Sequence, residues 1–190
     1  MEISLKRFVD LVLAVTSCVF LFIPIIFISL AIFFTSKGGV IYWSNRVGKN
    51  NEIFKMPKFR TMRVDTPELA THMLVNPKSY LTKIGSLLRR SSMDELPQIW
   101  SILVGDMSFV GPRPALFNQE DLIKLRTEIG VHEIKPGLTG WAQINGRDEL
   151  SVTEKVFLDK YYLDNQSMLL DAIIMILTFV KIVRKDGIIH

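Results

Sequence analysis

A run of 24 uncharged residues, Leu11 to Phe34, is the feature that most limits what this chain can fold into. At about 1.5 Å per residue, a continuous helix of this length reaches about 36 Å, which exceeds the ~30 Å hydrocarbon core of a bilayer. The run is longer than the apolar region of a cleaved signal peptide, which has about 7–15 residues, and no small-residue cleavage site follows it. We therefore expect a retained membrane anchor.

The centre and the flanks of this run favour a re-entrant anchor. Pro24 lies near the middle, where it removes a backbone donor and bends a helix. Basic residues lie on both sides, Lys6 and Arg7 before the run and seven Lys or Arg between residues 37 and 63 after it. Because positive residues prefer the cytoplasmic side, a helix that enters, breaks at Pro24 and returns places both flanks correctly. A kinked single span is the alternative, since kinked spanning helices are common.

Length and composition exclude several classes of protein. The 190 residues suffice for one structural unit, which we divide into an anchor, 1–36, and a membrane-surface domain, 37–190. A mean hydropathy of +0.27 with 22% charged residues excludes a disordered chain and a transporter with several spans. The single cysteine, Cys18, cannot form an internal disulfide. The net charge of +4 is too small to indicate nucleic acid, but its distribution indicates a membrane surface.

The pattern after the anchor predicts an α-rich α+β fold. Val40–Ser44 and Ile53–Phe59 are β-leaning runs joined by a longer turn, which predicts a small hairpin. Helices are predicted over 80–90, 97–103 and 115–129, and two rigid Gly-Pro loops at 111–114 and 136–140.

The last predicted element, Met168 to Val183, is apolar apart from Asp171 and Lys181. Its longest uncharged stretch has nine residues, which is too short to cross a bilayer. It fits an interfacial amphipathic helix and a core helix about equally well.

The densest polar cluster is the segment from Arg89 to Pro97, with two cations, two hydroxyls and two carboxylates. Because Pro97 is harmless only in a first turn, the helix should begin at Met93 or later, which places Asp94 and Glu95 at a helix start. There the helix dipole favours ionised carboxylates and would attract a phosphate. Adjacent residues do not face each other, so the two carboxylates more naturally take different roles, one attacking and one holding a cation or a proton. Plain helix capping by Ser-x-x-Glu is the alternative.

A reaction at a phosphate needs cations and commonly a divalent metal, because charge stabilisation dominates phosphoryl transfer. The candidate cations are Lys58, Arg60, Arg89, Arg90, Arg113 and Arg147. Any one of them alone is more often a solvated surface charge. Arg113 is the most telling, since the prolines on both sides stiffen the backbone under its guanidinium. Asp171 is a further candidate, because a carboxylate in an apolar helix is costly unless it points at water, a metal or a partner. The alternative is that Asp171 lies on the wet, solvent-facing side of an interfacial helix.

These segments together resemble the bacterial sugar transferases known as monotopic phosphoglycosyl transferases. The segments that carry the resemblance are Leu5–Asp10, Lys58–Met62, Ser92–Gln98, Gly105–Pro114, Pro136–Arg147 and Leu170-Asp171. The resemblance implies a re-entrant helix, a catalytic domain at the cytoplasmic face of the bacterial inner membrane, and transfer of a sugar 1-phosphate from a UDP-sugar to undecaprenyl phosphate with release of UMP. This is the first membrane step of glycan assembly. The family often breaks its membrane helix at Ser-Pro, and this chain has Ile23-Pro24 there.

The resemblance also implies roles for individual residues. Asp94 would be the nucleophile that forms a phosphosugar intermediate, and Glu95 its partner near Mg²⁺ or the proton, so both are candidate metal ligands. Predicted substrate-site residues are Lys58, Arg60, Arg89, Arg113, Arg147 and Asp171. Oligomeric state is open, with a homodimer among the expectations. A noncatalytic, basic membrane-surface binding protein is the alternative, and a lipid-phosphate hydrolase a more distant one.

Overall fold

A computed structural model describes residues 2–67, 76–146 and 149–184 of the chain. Its helices are α1 (Glu2–Thr35), α2 (Gly85–Arg90), α3 (Ile99–Val104), α4 (Glu120–Glu128), α5 (Trp141–Ile144), α6 (Val152–Asp164) and α7 (Met168–Arg184). Its strands are β1 (Ile41–Val47), β2 (Ile53–Phe59), β3 (Ser108–Val110) and β4 (Gly137–Thr139). Short 3-10 turns lie at Lys49–Asn51, Pro77–Tyr80, Met93–Gln98 and Val131–Glu133. The predicted α-rich fold with a small hairpin is confirmed.

Helix α1 continues through Pro24, and its segment Leu5–Thr35 is long and apolar enough to cross a membrane by length and composition. One stripe of α1 packs on the rest of the chain, with members spaced three or four residues apart as a helix face requires. The stripe consists of Ala14, Cys18, Leu21, Ile25, Ile28 and Ile32. The re-entrant geometry stays a prediction.

The part of the core that involves α1 lies against the hairpin, α2 and α3, and a further buried cluster joins β3, α5, α6 and α7. Near the start of α1, Ala14 packs in a buried cluster with Met56 of β2 and with Ile99 and Ile102 of α3. Near its end, Ile32 is fully buried against a second group, Phe59 of β2 and Leu88 of α2. The hairpin and the helices beside it therefore rest on α1 along most of its length.

The hairpin is antiparallel, with Tyr42 opposite Lys58 and Arg46 opposite Phe54. Its first strand extends to Val47, three residues beyond the predicted end, because pairing with β2 continues to Val47 opposite Ile53. Asn50 and Asn51 adopt positive φ of 55° and 62°, a conformation that asparagine tolerates better than most residues.

Several predicted boundaries are wrong. The helix expected over 80–90 begins at Gly85, because Leu81 bridges to Met62 and Thr82 N donates to Thr61 O at 2.9 Å. The helix expected over 115–129 begins at Glu120, because residues 115 and 116 pair with the end of β1: Val47 N donates to Ala115 O at 3.0 Å, and Arg46 bridges to Leu116. The loop expected at 111–114 follows the short strand β3, and the loop expected at 136–140 includes the short strand β4. The two strands pair in parallel. A Cβ on Gly137 would lie 2.1 Å from Gly111 N, so this close pairing requires glycine.

Candidate active site

The 3-10 turn Met93–Gln98 leads directly into α3 and carries Asp94 and Glu95 in its first turn. This confirms the predicted helix start. Ser92, which precedes the turn, has a φ of 55° and its side chain makes no capping hydrogen bond. The side chain of Glu95 reaches other partners, so the capping-box alternative is wrong.

Glu95 is held by two cations. Its Oε1 accepts hydrogen bonds from Lys58 Nζ and Arg113 Nη2, both at 2.8 Å. Burial alone would raise the pKa of Glu95, but the charges of Arg113 and Lys58, and the hydrogen bonds they donate, hold that pKa well below its usual value. Glu95 is therefore ionised at neutral pH and fixes the positions of both cations.

Asp94 lies in a different environment although it is the adjacent residue. It is 8% exposed, and no hydrogen bond to its carboxylate is found among the residues that the structure describes. Burial raises the pKa of Asp94, Lys58 opposes this shift, and the negative charge of Glu95 adds to it. The carboxylate of Asp94 is thus desolvated and uncommitted, which are the properties of a reactive group.

Two further cations complete the site. Arg89 donates from Nε to Thr61 Oγ1 at 3.1 Å, and its charge acts on Asp94. Arg46 donates from Nη1 to Pro114 O at 3.2 Å, and burial together with the like charge of Arg113 lowers its pKa to about 10. Burial likewise lowers the pKa of Lys58. Four basic side chains thus surround two carboxylates, and this excess of positive charge favours an anionic ligand.

Arg46 was not among the predicted site residues, although the sequence carried a signal for it. Directly opposed residues of a hairpin share a face, and residues two apart on a strand share it too. With β1 extended to Val47, Arg46 lies on the same face as Lys58. The shorter predicted strand ended before Arg46 and hid this relation.

The structure places other predicted site residues elsewhere. Arg60 donates to Gly39 O at 2.7 Å and lies over the ring of Tyr42, and Arg90 donates to Ser86 O at 3.4 Å. Arg147 lies outside the described residues. None of these placements tests a role in binding substrate, which stays a prediction.

Asp171 lies in a second polar cluster, where α1 meets α7. It is buried, forms an ion pair with Lys6 and accepts a hydrogen bond from the Tyr162 hydroxyl at 2.7 Å. Burial, followed by the neighbouring charge of Asp171, raises the pKa of Tyr162. Asp171 is therefore not on the wet face of α7, and that alternative is wrong.

The start of α1 is hydrogen-bonded to β3 and α3. Asp10 Oδ1 accepts from Ser108 Oγ and Phe109 N, both at 3.1 Å. Arg7 donates to Ile102 O at 2.6 Å and to Leu103 O at 2.9 Å, the last turn of α3. The charged residues before the apolar run thus attach α1 to the domain that carries Asp94 and Glu95.

A preformed metal cage is not found in the described segments, which contain no group of three or more His, Cys, Asp and Glu side chains that could hold an ion. Mg²⁺ is commonly bound by only one or two carboxylates together with substrate phosphates. Asp94 fits this role, because its carboxylate is uncommitted, whereas Oε1 of Glu95 already binds two cations. The donor set fits an ion that is held jointly with a phosphate.

Comparison with known proteins gives consistent matches over the whole chain. The uncharacterized sugar transferase EpsL of Bacillus subtilis strain 168 is 40% identical over 192 residues, which cover 97% of this chain and 90% of the relative. The exopolysaccharide production protein ExoY of Rhizobium meliloti strain 1021 is 35% identical and covers 96% and 87%. The UDP-glucose:undecaprenyl-phosphate glucose-1-phosphate transferase of Escherichia coli strain K12 is 40% identical over 93% of this chain, which spans only 40% of that relative.

The family described as bacterial sugar transferase matches residues 1–185. The match includes α1, the hairpin, the turn with Asp94 and Glu95, and α7. The chain therefore belongs to the bacterial sugar transferase family.

Proposed function

We propose that this protein transfers a sugar 1-phosphate from a UDP-sugar to undecaprenyl phosphate and releases UMP, as the first membrane step of bacterial glycan assembly. The Escherichia coli relative is named for a reaction of this kind. The observation that carries the proposal is the pair of adjacent carboxylates in opposite environments among four buried or partly buried cations. That arrangement suits attack by one carboxylate on a phosphate whose charge the cations neutralise.

In the first step, an oxygen of Asp94 forms a bond to the phosphorus that carries the sugar. The bond from this phosphorus to the UMP oxygen breaks, and its electron pair leaves with UMP. In the second step, an oxygen of undecaprenyl phosphate attacks the same phosphorus, the bond to Asp94 breaks and the carboxylate is regenerated. The protein thus holds the phosphosugar between a soluble donor and a membrane-bound acceptor.

Glu95 acts in this mechanism through the cations it fixes. Because Lys58 and Arg113 bind the same carboxylate oxygen, their positions are set before the donor arrives, and preorganised charge stabilises a transition state without further reorganisation. Arg89 and Arg46 add positive charge for the donor diphosphate. Asp94 would hold Mg²⁺ together with the donor phosphates, with Glu95 close by, and the bound ion supplies further positive charge to the phosphate oxygens.

Contacts of α1 support a monotopic anchor at the cytoplasmic face. A 34-residue helix is about 51 Å long if straight. Arg7 near its start contacts α3, and Ile32 near its end packs on Phe59 and Leu88. If α1 crossed the bilayer perpendicularly, Arg7 and Ile32 would lie on opposite sides of the ~30 Å hydrocarbon core of the membrane. A domain on one side of the membrane could not then contact both residues. Both flanks of α1 therefore belong on one face.

Exposed apolar side chains identify the surface proposed to contact lipid. On α1 the stripe opposite the core includes Val19, Phe20 and Phe34, which are between 71% and 78% exposed. On α7, Leu169, Ile176 and Phe179 are between 63% and 72% exposed, while Ile174 on the other side is fully buried. We therefore assign α7 to the membrane interface with one face in the core. The homodimer stays a prediction.

The test is a turnover assay with undecaprenyl phosphate and a panel of UDP-sugars, with product lipid identified by mass. We expect UMP and a lipid-linked sugar diphosphate in equal amounts, loss of both in Asp94→Asn, and loss of both when EDTA removes divalent ions. Release of inorganic phosphate or free sugar instead would support the hydrolase alternative. Absence of turnover with every donor, by protein that still binds membranes, would support the noncatalytic alternative.

A further inference from the structure

Arg126 and Asp159 form a buried ion pair that the mechanism above does not use. Arg126 lies on α4 and Asp159 on α6, and they are 9% and 1% exposed. Arg126 donates from Nε and Nη2 to Asp159 Oδ2, at 2.9 Å and 2.6 Å. A buried ion pair contributes little net stability, because taking both charges out of water offsets most of their attraction. Stability alone therefore does not explain why this pair is buried.

The remaining terminal nitrogen of Arg126 reaches the candidate active site. Its Nη1 donates to the backbone carbonyl of Arg113 at 2.8 Å, and the side chain of Arg113 donates to Glu95. Because Asp159 binds the other two nitrogens of the planar guanidinium, Nη1 has a fixed direction. Contacts thus run without a gap from α6, through α4, to a cation of the site.

The loop 112–114, which carries Arg113, is held through its carbonyl groups. Pro112 and Pro114 have no N–H to donate, and the carbonyls of all three loop residues accept hydrogen bonds. Their donors are, in order, Gly137 N at 2.9 Å, Arg126 Nη1 at 2.8 Å and Arg46 Nη1 at 3.2 Å. A pocket lined by Pro112, Pro114 and Arg126, among others, lies against the loop, so close packing does not fix the loop there. The hydrogen bond from Arg126 therefore fixes the peptide unit next to the Arg113 side chain.

We propose that Arg126, held by Asp159, is a positioning residue for Arg113. It fixes the backbone from which the Arg113 guanidinium extends, so that this cation is already in place when the donor phosphates bind. Arg126 itself contacts no substrate, forms no covalent bond and transfers no proton. This inference rests on the proposed function, which assigns Arg113 to neutralising charge on the donor phosphates. In the alternative, the ion pair only links α4 to α6.

The test removes both charges together, in a chain with Arg126→Met and Asp159→Leu, because loss of one partner alone would leave the other charge buried and unpaired. Apolar side chains in place of a buried ion pair often keep or raise stability. The control carries the same two kinds of substitution at an exposed ion pair of α6, as Lys160→Met and Asp164→Leu. Each chain is measured for kcat/KM of the donor, with the UDP-sugar that the unmodified protein uses best, and for Tm.

We expect the buried-pair variant to lower kcat/KM at least about tenfold, since a misplacement of about 1 Å can cost about 10²-fold, with Tm unchanged or higher. The control variant should leave kcat/KM unchanged. The inference is overturned if the buried-pair variant keeps kcat/KM within about twofold, if the control slows turnover equally, or if unfolded protein at the assay temperature accounts for the loss.

A second comparison asks whether the ion pair acts through Arg113. The substitutions at Arg126 and Asp159 are repeated in Arg113→Lys, and single-turnover release of labelled UMP keeps the slow chains measurable. Because a positioning residue matters only while the group that it positions is present, the substitutions should then slow UMP release less than about threefold. The same tenfold loss in both backgrounds would show an independent structural role and overturn the inference. Retained turnover in Asp94→Asn would instead overturn the proposed function.

Discussion

Asp94 and Glu95 are covalent neighbours, yet the side chains around them give each a different chemical character. Glu95 is surrounded by donors, because β2 brings Lys58 and the Pro-flanked loop brings Arg113 to the same oxygen. Asp94 is desolvated without such donors. Ionising Asp94 therefore costs the folded protein free energy, whereas ionising Glu95 stabilises it.

Neutralising Asp94 and neutralising Glu95 should change the stability of the folded protein in opposite directions. A raised pKa in the folded state makes the ionised Asp94 destabilising above that pKa, so Asp94→Asn should raise Tm at pH 8 in EDTA. A lowered pKa makes ionised Glu95 stabilising above the ordinary value of ~4.3, and this contribution is lost as the pH falls through the folded pKa. Glu95→Gln should therefore lower stability at pH 8, by about 3 kcal/mol, since it removes the charged partner of a largely buried ion pair with Lys58.

Differential scanning fluorimetry of the three proteins at pH 8 measures these changes, with the tryptophans as reporters. The difference between Glu95→Gln and the unmodified protein should persist down to about pH 4.3, the ordinary pKa of Glu, and shrink only below it, as the pH falls toward the much lower pKa of Glu95 in the folded protein. Equal shifts of Tm in both variants would contradict the assignment of opposite environments.

Arg113→Lys should impair turnover far more than a conservative change normally does. The guanidinium donates to Glu95, and its backbone carbonyl is held by Arg126 Nη1 at 2.8 Å. A compact ammonium cannot reproduce a planar fork held in this way. An effect on kcat/KM below about threefold, less than ~1 kcal/mol, would show that Arg113 makes no important transition-state contact. Lys124→Arg, on the exposed side of α4, is a matched control.

At the scale of secondary-structure elements, sequence patterns predicted individual helices and the hairpin better than the contacts between distant elements. The hairpin and the turn that carries Asp94 and Glu95 were predicted, because each depends on local signals such as β-leaning runs and Pro97. The parallel pair of β3 and β4 was not, since strands of three residues carry no periodicity and pair across 26 intervening residues.

The polar attachment of α1 was likewise beyond local signals. Lys6 and Arg7 were interpreted only as topology signals, whereas in the structure Arg7 binds carbonyls of α3 and Lys6 pairs with Asp171. These contacts join residues about 95 and 165 positions apart. A single sequence contains no information about which distant carbonyl or carboxylate such a cation will meet.

Asp10 is the residue that ties α1 to β3, and its removal tests that attachment. Asp10→Ala leaves Ser108 Oγ and the amide of Phe109 without their acceptor, so we expect a loss of about 2–3 kcal/mol in stability. Asp106→Ala, an exposed aspartate in the loop before β3, should change stability by less than about 0.5 kcal/mol. Chemical denaturation in a fixed detergent measures both, and equal losses would contradict a specific role for Asp10.

At the scale of the whole molecule, α1 packs against the elements that carry Asp94 and Glu95. The stripe on α1 packs on the hairpin and α3, and the charged start of α1 is bonded to β3, α3 and α7. In the proposed reaction, these contacts would hold the site at a fixed distance from the membrane, which suits an acceptor confined to the bilayer.

This arrangement predicts that both flanks of α1 face the cytoplasm. Cysteines introduced at Glu2 and Lys37, in a chain with Cys18 replaced by alanine, should react with an impermeant maleimide in inverted vesicles but not in intact cells. The alanine chain without new cysteines is the control. Opposite accessibility of the two positions would establish a spanning α1 and contradict a monotopic anchor.

The most direct measurement of the covalent mechanism is UMP release before the acceptor is added. Purified protein mixed with UDP-sugar and Mg²⁺, without undecaprenyl phosphate, should release about one equivalent of UMP per active site. The peptide that contains Asp94 should gain the mass of one sugar phosphate, and Asp94→Asn should give neither signal. UMP that appears only once undecaprenyl phosphate is present, with no modified peptide under single-turnover conditions, would contradict the aspartyl intermediate and establish direct attack by the lipid phosphate.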